Sequence, residues 1–245
     1  ERTNKTCAQA SKGENAVQKL DGLLKETNNL DSAGMELRIR QAKDYMEMAQ
    51  LYKSAIREIT TKLEVLDSEF SVRYDHNPIH HIDNRLKSIA SIVEKLRRKG
   101  AAVSIQNAKA YLTDIAGVRV VCNYIDDIYR IADMLCAQDD IVVLRRTDYI
   151  ENPKENGYRS LHLVLSVPVF LSSGSVPVPV EVQIRTIAMD FWASLEHQIR
   201  YKPDEAIHND DALRRELKQC AEESALLDRR MQEIYRRLKE GQKEG

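Results

Sequence analysis

Apolar residues recur at alternating three- and four-residue steps near both ends of the chain, which is the spacing of one face of a helix. From Asp31 the pattern predicts a long helix, which Asn77 and Pro78 end before the next element. At the other end, the stripe from Leu213 to Leu238 predicts a second long helix that packs along another helix. That partner is either this chain's own N-terminal helix or a second subunit, and the pattern favours neither.

The centre of the chain changes from helical to strand periodicity and back. The apolar run IAGVRVVC predicts a strand, Asp126 can cap a helix after it, and strand character resumes at Ile141, as in a βαβ unit. Two further runs, 161–170 and 176–186, predict an antiparallel pair in a mixed sheet, followed by a short helix. The sequence therefore predicts an α/β (α+β mixed sheet) fold, a mixed β-sheet flanked by helices, with long N- and C-terminal helices.

A basic amphipathic helix is predicted from Arg85 to Gly100, with Gly100 as its C-cap. Lys87, Ser91 and Lys95 are four residues apart and share one helical face, while isoleucine, valine and leucine occupy the other. Two amines and a hydroxyl on one face are suited to binding phosphate. Taken alone, however, a charged stripe is more often only the solvated face of a surface helix.

Polar side chains alternate with apolar ones along the last predicted strand. Glu181, Gln183 and Arg185 share one face, which must line either solvent or a cleft. A second carboxylate, Asp114, stands at the head of the strand IAGVRVVC, and two carboxylates at sheet ends commonly hold Mg²⁺. In a regular strand Asp114 and Arg119 would point to opposite faces, so we expect Asp114 to precede the strand.

The loop NPKENGYRSLH gathers Lys154, Asn156, Tyr158 and His162, and we expect Gly157 to give the backbone the freedom to expose the tyrosine ring. A nucleobase can stack on such a ring while the amide bonds its edge and the lysine meets phosphate. By itself the segment is more typical of an ordinary surface loop, because turn-forming residues need no function.

Composition narrows the class of protein. The 245 residues carry a net charge of -1 with 31% charged residues, so any polyanion site must be local. The four scattered cysteines form no CxxC pair, which argues against a zinc knuckle or a thioredoxin-like centre. No apolar stretch approaches the roughly 20 residues of a membrane span, and the N-terminus has no signal-peptide core, so we expect a cytoplasmic protein.

Four blocks of the sequence resemble the synthetase domain of RelA/SpoT-type proteins. They are RLKSIAS from Arg85, DIAGVRV from Asp114, NGYRSLH from Asn156 and EVQIRTIAMDFWASLEH from Glu181. The short chain looks like a small alarmone synthetase of the RelP/RelQ branch, a GTP pyrophosphokinase. This resemblance implies a nucleotidyltransferase-like sheet in a synthetase domain over 77–202, after a polar segment (1–30) and a helical region (31–76), with a C-terminal amphipathic helix (203–245). Because no histidine is followed by aspartate, we expect no hydrolase activity.

The resemblance also implies a reaction and a site. A pyrophosphate unit passes from ATP to the ribose 3′-hydroxyl of GDP or GTP, and AMP is released. The implied ATP-binding residues are Arg85, Lys87, Ser91, Lys95 and Arg119, the two arginines flanking adenine. Asp114 and Glu181 would hold Mg²⁺, with Glu181 accepting the 3′-hydroxyl proton. The implied residues for GDP or GTP are Lys154, Asn156, Tyr158, His162, Gln183 and Asp190, with Tyr158 stacking on guanine.

Some relatives have asparagine where this chain has Asp190, and a carboxylate cannot donate a hydrogen bond, although it can accept from guanine N1 and N2. Preference for GDP or GTP therefore stays open. Related small synthetases form homotetramers, and RNA binding is open but not indicated. A toxin-like tRNA 3′-end pyrophosphokinase would need a basic track, which this chain lacks beyond 97–99. A catalytically silent nucleotide- or RNA-binding regulator would not need both Asp114 and Glu181.

Overall fold

The computed structural model describes residues 32–74, 76–200 and 211–241. The contacts divide the chain into two units, 1–48 and 49–245; the described part of the first is the beginning of one long helix, and the second holds the sheet and the other helices. The predicted polar segment 1–30 lies outside the described residues, and the domain bounds at 76 and 202 stay predictions. Within the described chain, no helix combines the length and apolarity needed to cross a bilayer.

The described residues form six helices and five strands. The helices are α1 (Ser32–Tyr74), α2 (Ile89–Arg98), α3 (Ile105–Tyr111), α4 (Ile125–Cys136), α5 (Ile187–Arg200) and α6 (Asp211–Gly241). The strands are β1 (Ile79–Leu86), β2 (Ala116–Cys122), β3 (Val142–Asp148), β4 (Leu161–Leu171) and β5 (Gly174–Thr186). The long first helix ends before Asn77 and Pro78, as predicted.

The five strands form one mixed sheet in the order β1-β2-β5-β4-β3. Only β2 and β5 pair in parallel, and the predicted antiparallel pair is β4 with β5. The predicted βαβ connection from β2 through α4 to β3 exists, but β5 and β4 lie between its two strands. The mixed sheet with flanking helices confirms the predicted fold class.

The predicted helix from Arg85 is wrong in its first turns. Residues 79–86 form the edge strand β1, which pairs antiparallel with β2, and the helix starts only at Ile89 with Ser88 as its N-cap. Lys87 therefore lies in the strand-to-helix junction and does not share a helical face with Ser91 and Lys95. The strand escapes a periodicity analysis because its register shifts between Ile79 and His81, which breaks the alternation. Gly100 has a φ of 69°, as expected of a C-cap glycine.

The sheet has one apolar and one polar face. Val118 and Val120 of β2 are buried beside Val182 and Ile184 of β5, and α4 packs on these two strands. Side chains one residue out of phase with these valines point to the opposite face, where the polar residues of both strands lie. The alternation that builds the core thus also builds the cleft.

Helix α6 packs on α5 and α4 of the same chain. Its buried positions are Ala221, Ala225, Asp228 and Gln232. Those small and polar residues are not the predicted apolar stripe, whose members Leu227, Met231, Ile234 and Leu238 are exposed. The helix therefore approaches its own domain through small residues, because these allow two helix backbones to come close.

Thr186 ties together three elements at the end of β5. Its buried hydroxyl donates to the Asp228 carboxylate of α6 and accepts a hydrogen bond of 3.1 Å from the backbone N–H of Met189, capping α5. Burial raises the pKa of Asp228, which makes the threonine hydroxyl an important partner for this carboxyl group.

We expect Thr186→Val to lower the free energy of unfolding by about 1–3 kcal/mol, because it removes a helix cap and leaves Asp228 buried without its donor. Urea unfolding followed by circular dichroism measures the change. Thr61→Val on the exposed side of α1 is the matched control and should alter stability by less than about 0.5 kcal/mol. Equal effects of the two substitutions would contradict the stabilising role of the Thr186 hydroxyl.

Candidate active site

Two rows of residues cross the polar face of the sheet. Strand register aligns Asp83, Arg119, Gln183 and His162 across β1, β2, β5 and β4. The next row contains Arg85, Gly117 and Glu181. Six of the thirteen site residues that the resemblance implied therefore lie on or beside these rows: Arg85, Asp114, Arg119, His162, Glu181 and Gln183.

Asp114 precedes β2, which begins at Ala116, so the expectation drawn from strand parity is confirmed. Its Oδ2 atom accepts hydrogen bonds from Lys87 Nζ at 3.0 Å and from Lys95 Nζ at 2.6 Å. Burial raises the pKa of Asp114, but the hydrogen bonds and charges of Lys95 and Lys87 outweigh this and hold the pKa below its ordinary value. The carboxylate is therefore ionised and enclosed by two amines.

The other carboxylate oxygen of Asp114, Oδ1, is buried and has no hydrogen-bond partner within the described residues. A buried ionised oxygen without a donor is costly, which makes this atom a ready ligand for a cation. Glu181 comes from the neighbouring parallel strand, where its register partner Gly117 lies three residues after Asp114. These two carboxylates thus fit the oxygen ligands that a divalent metal such as Mg²⁺ requires.

Glu181 is held by its neighbours on the polar face. Its Oε2 atom accepts a hydrogen bond of 2.8 Å from Gln183 Nε2, and its Oε1 atom lies 3.8 Å from His162 Nδ1. The side chain is only 15% exposed, so it faces the cleft and not bulk solvent. A carboxylate positioned in this way is suited to accepting a proton from a bound hydroxyl.

The two arginines implied for adenine lie on adjacent strands. Arg85 extends over Gly117, since a Cβ added to that glycine would stand 3.5 Å from Arg85 Cγ. Arg119 is tied down at both ends of its guanidinium, by Asp83 Oδ2 at 2.7 Å and by Asp190 Oδ1 at 3.1 Å. Ser91 lies in the first turn of α2, where its N–H is capped by Ser88 Oγ at 3.3 Å.

The loop after β3 supplies an aromatic cluster. The hydroxyl of Tyr158 lies 2.8 Å from His162 Nε2 and accepts a hydrogen bond of 2.7 Å from Arg185 Nη2. Lys154 Nζ stands 4.6 Å from the centre of the Tyr158 ring and 4.7 Å from that of Tyr149. The ring of Tyr158 is half-buried and not exposed as expected, because it packs against a small cluster of α5 and α6 residues.

His162 is neutral in this cluster. Burial, together with the positive charges of Lys154, Arg185 and Arg145, lowers its pKa from 6.5 to about 4. A neutral imidazole has one donor and one acceptor nitrogen, so it can bond both the Tyr158 hydroxyl and a second polar group.

Asn156 is engaged inside the protein. Its Nδ2 donates to Glu196 Oε1 of α5 at 3.1 Å, and its Oδ1 accepts from the backbone N–H of Tyr158 at 3.2 Å. The next residue, Gly157, has a φ of 91°, and a Cβ there would lie 2.5 Å from Ala221 Cβ of α6. The loop is therefore pressed between two helices, and only glycine fits at its turn.

Sequence reasoning left two residues of this cluster without a role. Arg185 was placed on the polar face but given no ligand, and the structure surrounds it with Tyr158, Gln183 and Asp190. Tyr149 was missed, although its ring meets that of His162 edge-on at 5.1 Å. The strand alternation could have suggested Arg185, whereas no sequence signal distinguishes Tyr149 from an ordinary loop tyrosine.

The chain is similar to known proteins over most of its length. Residues 84–206 match the family model described as the region found in RelA/SpoT proteins. GTP pyrophosphokinase YwaC of Bacillus subtilis is 44% identical over 190 residues, covering 77% of this chain and 89% of that protein. The second curated relative, GTP pyrophosphokinase YjbM of the same organism, is 40% identical over 78% of this chain and 88% of its own length.

Solved structures give the same result. Small alarmone synthetase 1 of Bacillus subtilis bound to its product pppGpp superposes with a TM-score of 0.71 at 37% identity, over 79% of this chain and 97% of that one. The same protein bound to AMPCPP gives a TM-score of 0.67 at 33% identity, over 81% and 99%. The chain therefore belongs to the RelA/SpoT family, among its GTP pyrophosphokinases of the small alarmone synthetase type.

Proposed function

We propose that this protein makes (p)ppGpp by transferring pyrophosphate from ATP to the ribose 3′-hydroxyl of GDP or GTP, with release of AMP. The observation that carries the proposal is the state of Asp114, whose Oδ2 holds two lysines while its buried Oδ1 has no hydrogen-bond partner within the described chain. Such a group is suited to a metal–triphosphate complex, in which the cation meets the carboxylate and the lysines meet phosphate.

ATP binds on the side of the cleft formed by β1, α2 and the start of β2. Lys87 and Lys95 turn from Asp114 toward the phosphates, joined by the Ser91 hydroxyl, while Arg85 and Arg119 flank adenine with their planar guanidinium groups. The complex of small alarmone synthetase 1 with AMPCPP supports an ATP site in this family member as well.

Asp114 and Glu181 hold the divalent metal, which we propose is Mg²⁺. When bound, the ion neutralises charge on the transferring phosphates and orients them. The fit rests on the buried Oδ1 atom of Asp114, which has no hydrogen-bond partner among the described residues. It rests also on the parallel register that pairs Glu181 with Gly117, three residues after Asp114.

Glu181 is the general base. It accepts the proton of the 3′-hydroxyl as this oxygen attacks the β-phosphorus of ATP, and the bond from that phosphorus to the oxygen of the α-phosphate breaks, so that AMP leaves. Lys87 and Lys95 stabilise the negative charge on the transferred group and the leaving AMP. No covalent enzyme intermediate is needed, since in-line placement and charge neutralisation supply the catalysis.

The guanine nucleotide binds at the aromatic cluster. Guanine stacks on Tyr158, Lys154 meets the phosphates, and His162 and Gln183 orient the ribose toward Glu181. Asn156 acts by fixing the turn before Tyr158, and Asp190 contributes through Arg185, which contacts the tyrosine hydroxyl. The product complex of small alarmone synthetase 1 with pppGpp supports an acceptor site for a guanine nucleotide.

We further propose that the protein synthesises the alarmone without hydrolysing it, works in the cytoplasm and assembles into a homotetramer. The exposed apolar residues Leu227, Met231, Ile234 and Leu238 of α6 support a role for this helix in assembly.

A labelling assay tests the function. The purified protein, Mg²⁺ and γ-labelled ATP are incubated with GDP, GTP or tRNA, and the products are separated by chromatography. We expect label in a guanosine 3′-pyrophosphate and equimolar AMP. Label in tRNA alone would contradict the proposal, and so would ATP hydrolysis without transfer.

We expect Glu181→Gln to reduce transfer by at least about a thousandfold, since it removes both the base and a metal ligand at nearly constant volume. AMP release measures the rate, and thermal unfolding checks that the fold is kept. Glu58→Gln, on the exposed side of α1, is the matched control and should keep full activity. Unchanged transfer by Glu181→Gln would refute the assignment.

Tyr158→Ala should raise the KM for the guanine nucleotide about tenfold or more while changing the KM for ATP little, because base stacking on an aromatic ring contributes roughly 1–3 kcal/mol. Tyr158→Phe keeps the ring and should recover most of the lost affinity. Steady-state kinetics with each substrate varied in turn separates the two constants, and an equal rise in both would contradict the stacking role.

The depressed pKa of His162 makes folding stability depend on pH. Between its ordinary pKa of 6.5 and its folded value of about 4, the unfolded chain binds a proton that the folded chain does not, so stability is lost as the pH falls through this window. The wild type should lose unfolding free energy between pH 7 and pH 5. In His162→Asn we expect this loss to be smaller by about 1–2 kcal/mol.

Urea unfolding at both pH values measures this difference. His80→Asn, at an exposed position of β1, is the control and should leave the pH dependence as in the wild type. Parallel pH curves for the wild type and His162→Asn would contradict the neutral, buried imidazole.

A further inference from the structure

Asp190 lies between two arginines from different strands. It occupies the first turn of α5, directly after β5, and is only 16% exposed. One of its oxygens, Oδ1, accepts a hydrogen bond of 3.1 Å from Arg185 Nη1 and forms an ion pair with Arg119 Nη1 at the same distance. The helix N-terminus and the two guanidinium groups all place positive charge or partial positive charge near this side chain.

Each arginine reaches a different part of the cleft with its second terminal nitrogen. Arg119 Nη2 donates to Asp83 Oδ2 at 2.7 Å, on the side assigned to ATP. Arg185 Nη2 donates to the Tyr158 hydroxyl at 2.7 Å and to Gln183 Oε1 at 2.8 Å, on the side assigned to the guanine nucleotide. Hydrogen bonds and the Arg119–Asp190 ion pair together therefore connect the donor side to the acceptor side through Asp190.

The contacts of the terminal nitrogens set the orientation of both guanidinium groups. The Nε atoms of Arg119 and Arg185 are buried without a hydrogen-bond partner among the described residues. The plane of each group is thus set mainly by its terminal contacts, and Asp190 provides one of these contacts to both. Restraining the side chain of one arginine therefore also restrains the other through Asp190.

We propose that Asp190 couples the two nucleotide sites, so that ATP bound against Arg119 raises the affinity for the guanine nucleotide at Tyr158. Asp190 is in this view a positioning residue that touches neither substrate and acts through Arg185. The proposal rests on the proposed function, because it takes the ATP and guanine sites from it.

Stacking and hydrogen bonding use different directions of a guanidinium group. An adenine lies on the face of Arg119, whereas the hydrogen bond to Asp83 lies along an N–H direction in its plane, so ATP can bind without breaking it. Arg119 is 35% exposed and loses freedom when a base covers it. This restrains Asp190 and Arg185 in turn, so the ring of Tyr158 is already fixed when the guanine nucleotide binds. The coupling between the two nucleotides is therefore positive and reciprocal.

A carboxylate is needed for this arrangement. Asparagine at 190 would keep one acceptor oxygen but lose the charge that strengthens both contacts, and its NH₂ group would face two cations that have no acceptor to offer.

Calorimetric titration tests the coupling without turnover. GDP is titrated into the full-length protein with Mg²⁺, with and without saturating α,β-methylene ATP, which cannot release AMP. In the wild type we expect the analogue to lower the Kd for GDP about fivefold or more, and GDP to lower the Kd for the analogue by the same factor. In Asp190→Asn we expect both ratios to fall to within about twofold of one.

Two further variants distinguish coupling from a general loss of binding. Arg185→Lys keeps the charge but cannot bridge Asp190 and Tyr158, so it should also abolish the ratio, and it decides the question if Asp190→Asn fails to fold. Asp83→Asn removes the other carboxylate of Arg119 but leaves Asp190 in place. It should weaken binding of the analogue. The logarithm of its Kd ratio, however, should stay at least half as large as in the wild type.

A wild-type ratio of one would overturn the coupling, and so would a folded Asp190→Asn or Arg185→Lys protein with the wild-type ratio. Equal loss in Asp83→Asn would also overturn it, since the effect would then belong to Arg119 alone. The failure of the proposed function looks different: the wild type would bind neither nucleotide, and the coupling would fall with it.

Discussion

The parallel pairing of β2 with β5 is the constraint on which the site depends. It sets Gly117 beside Glu181 and Arg119 beside Gln183, and it brings the segment before β2 to the same end of the sheet. Because side chains alternate along a strand, the register that buries Val118, Val120 and their partners leaves the charged residues together on the other face. A shift of one residue would bury the arginine and the glutamate, so the core enforces the geometry of the cleft.

The second constraint is electrostatic. On the polar face two carboxylates are each paired with two cations: two lysines contact Asp114 and two arginines contact Asp190. Partly buried charges without partners would cost several kcal/mol each, and pairing reduces that cost. In the proposed function, substrate binding would exchange these partners: phosphate would contact the lysines in place of Asp114, and a cation would bind the carboxylate.

Local patterns predicted the parts of the fold that depend on short-range physics. The α1 helix, the alternation of β5 and the position of Asp114 before β2 all follow from periodicity and parity. Strand β1 was missed because a register shift interrupts its alternation, and this moved Lys87 out of the helix. The partners of Asn156 and Asp190 could not be predicted either, since Glu196, Arg119 and Arg185 meet them only through the tertiary fold.

Helix α6 extends the same argument to the end of the chain. Ala221 lies where a side chain on Gly157 would need to be, and the Trp192 indole of α5 donates a hydrogen bond of 2.8 Å to the backbone carbonyl of Leu217. Small residues therefore let α6 pack directly against the loop at Gly157, while larger apolar residues of this helix are exposed. Since the turn positions Tyr158 and the tyrosine hydroxyl is bonded to Arg185, the packing of α6 and the charge of Asp190 act on the same ring from two directions.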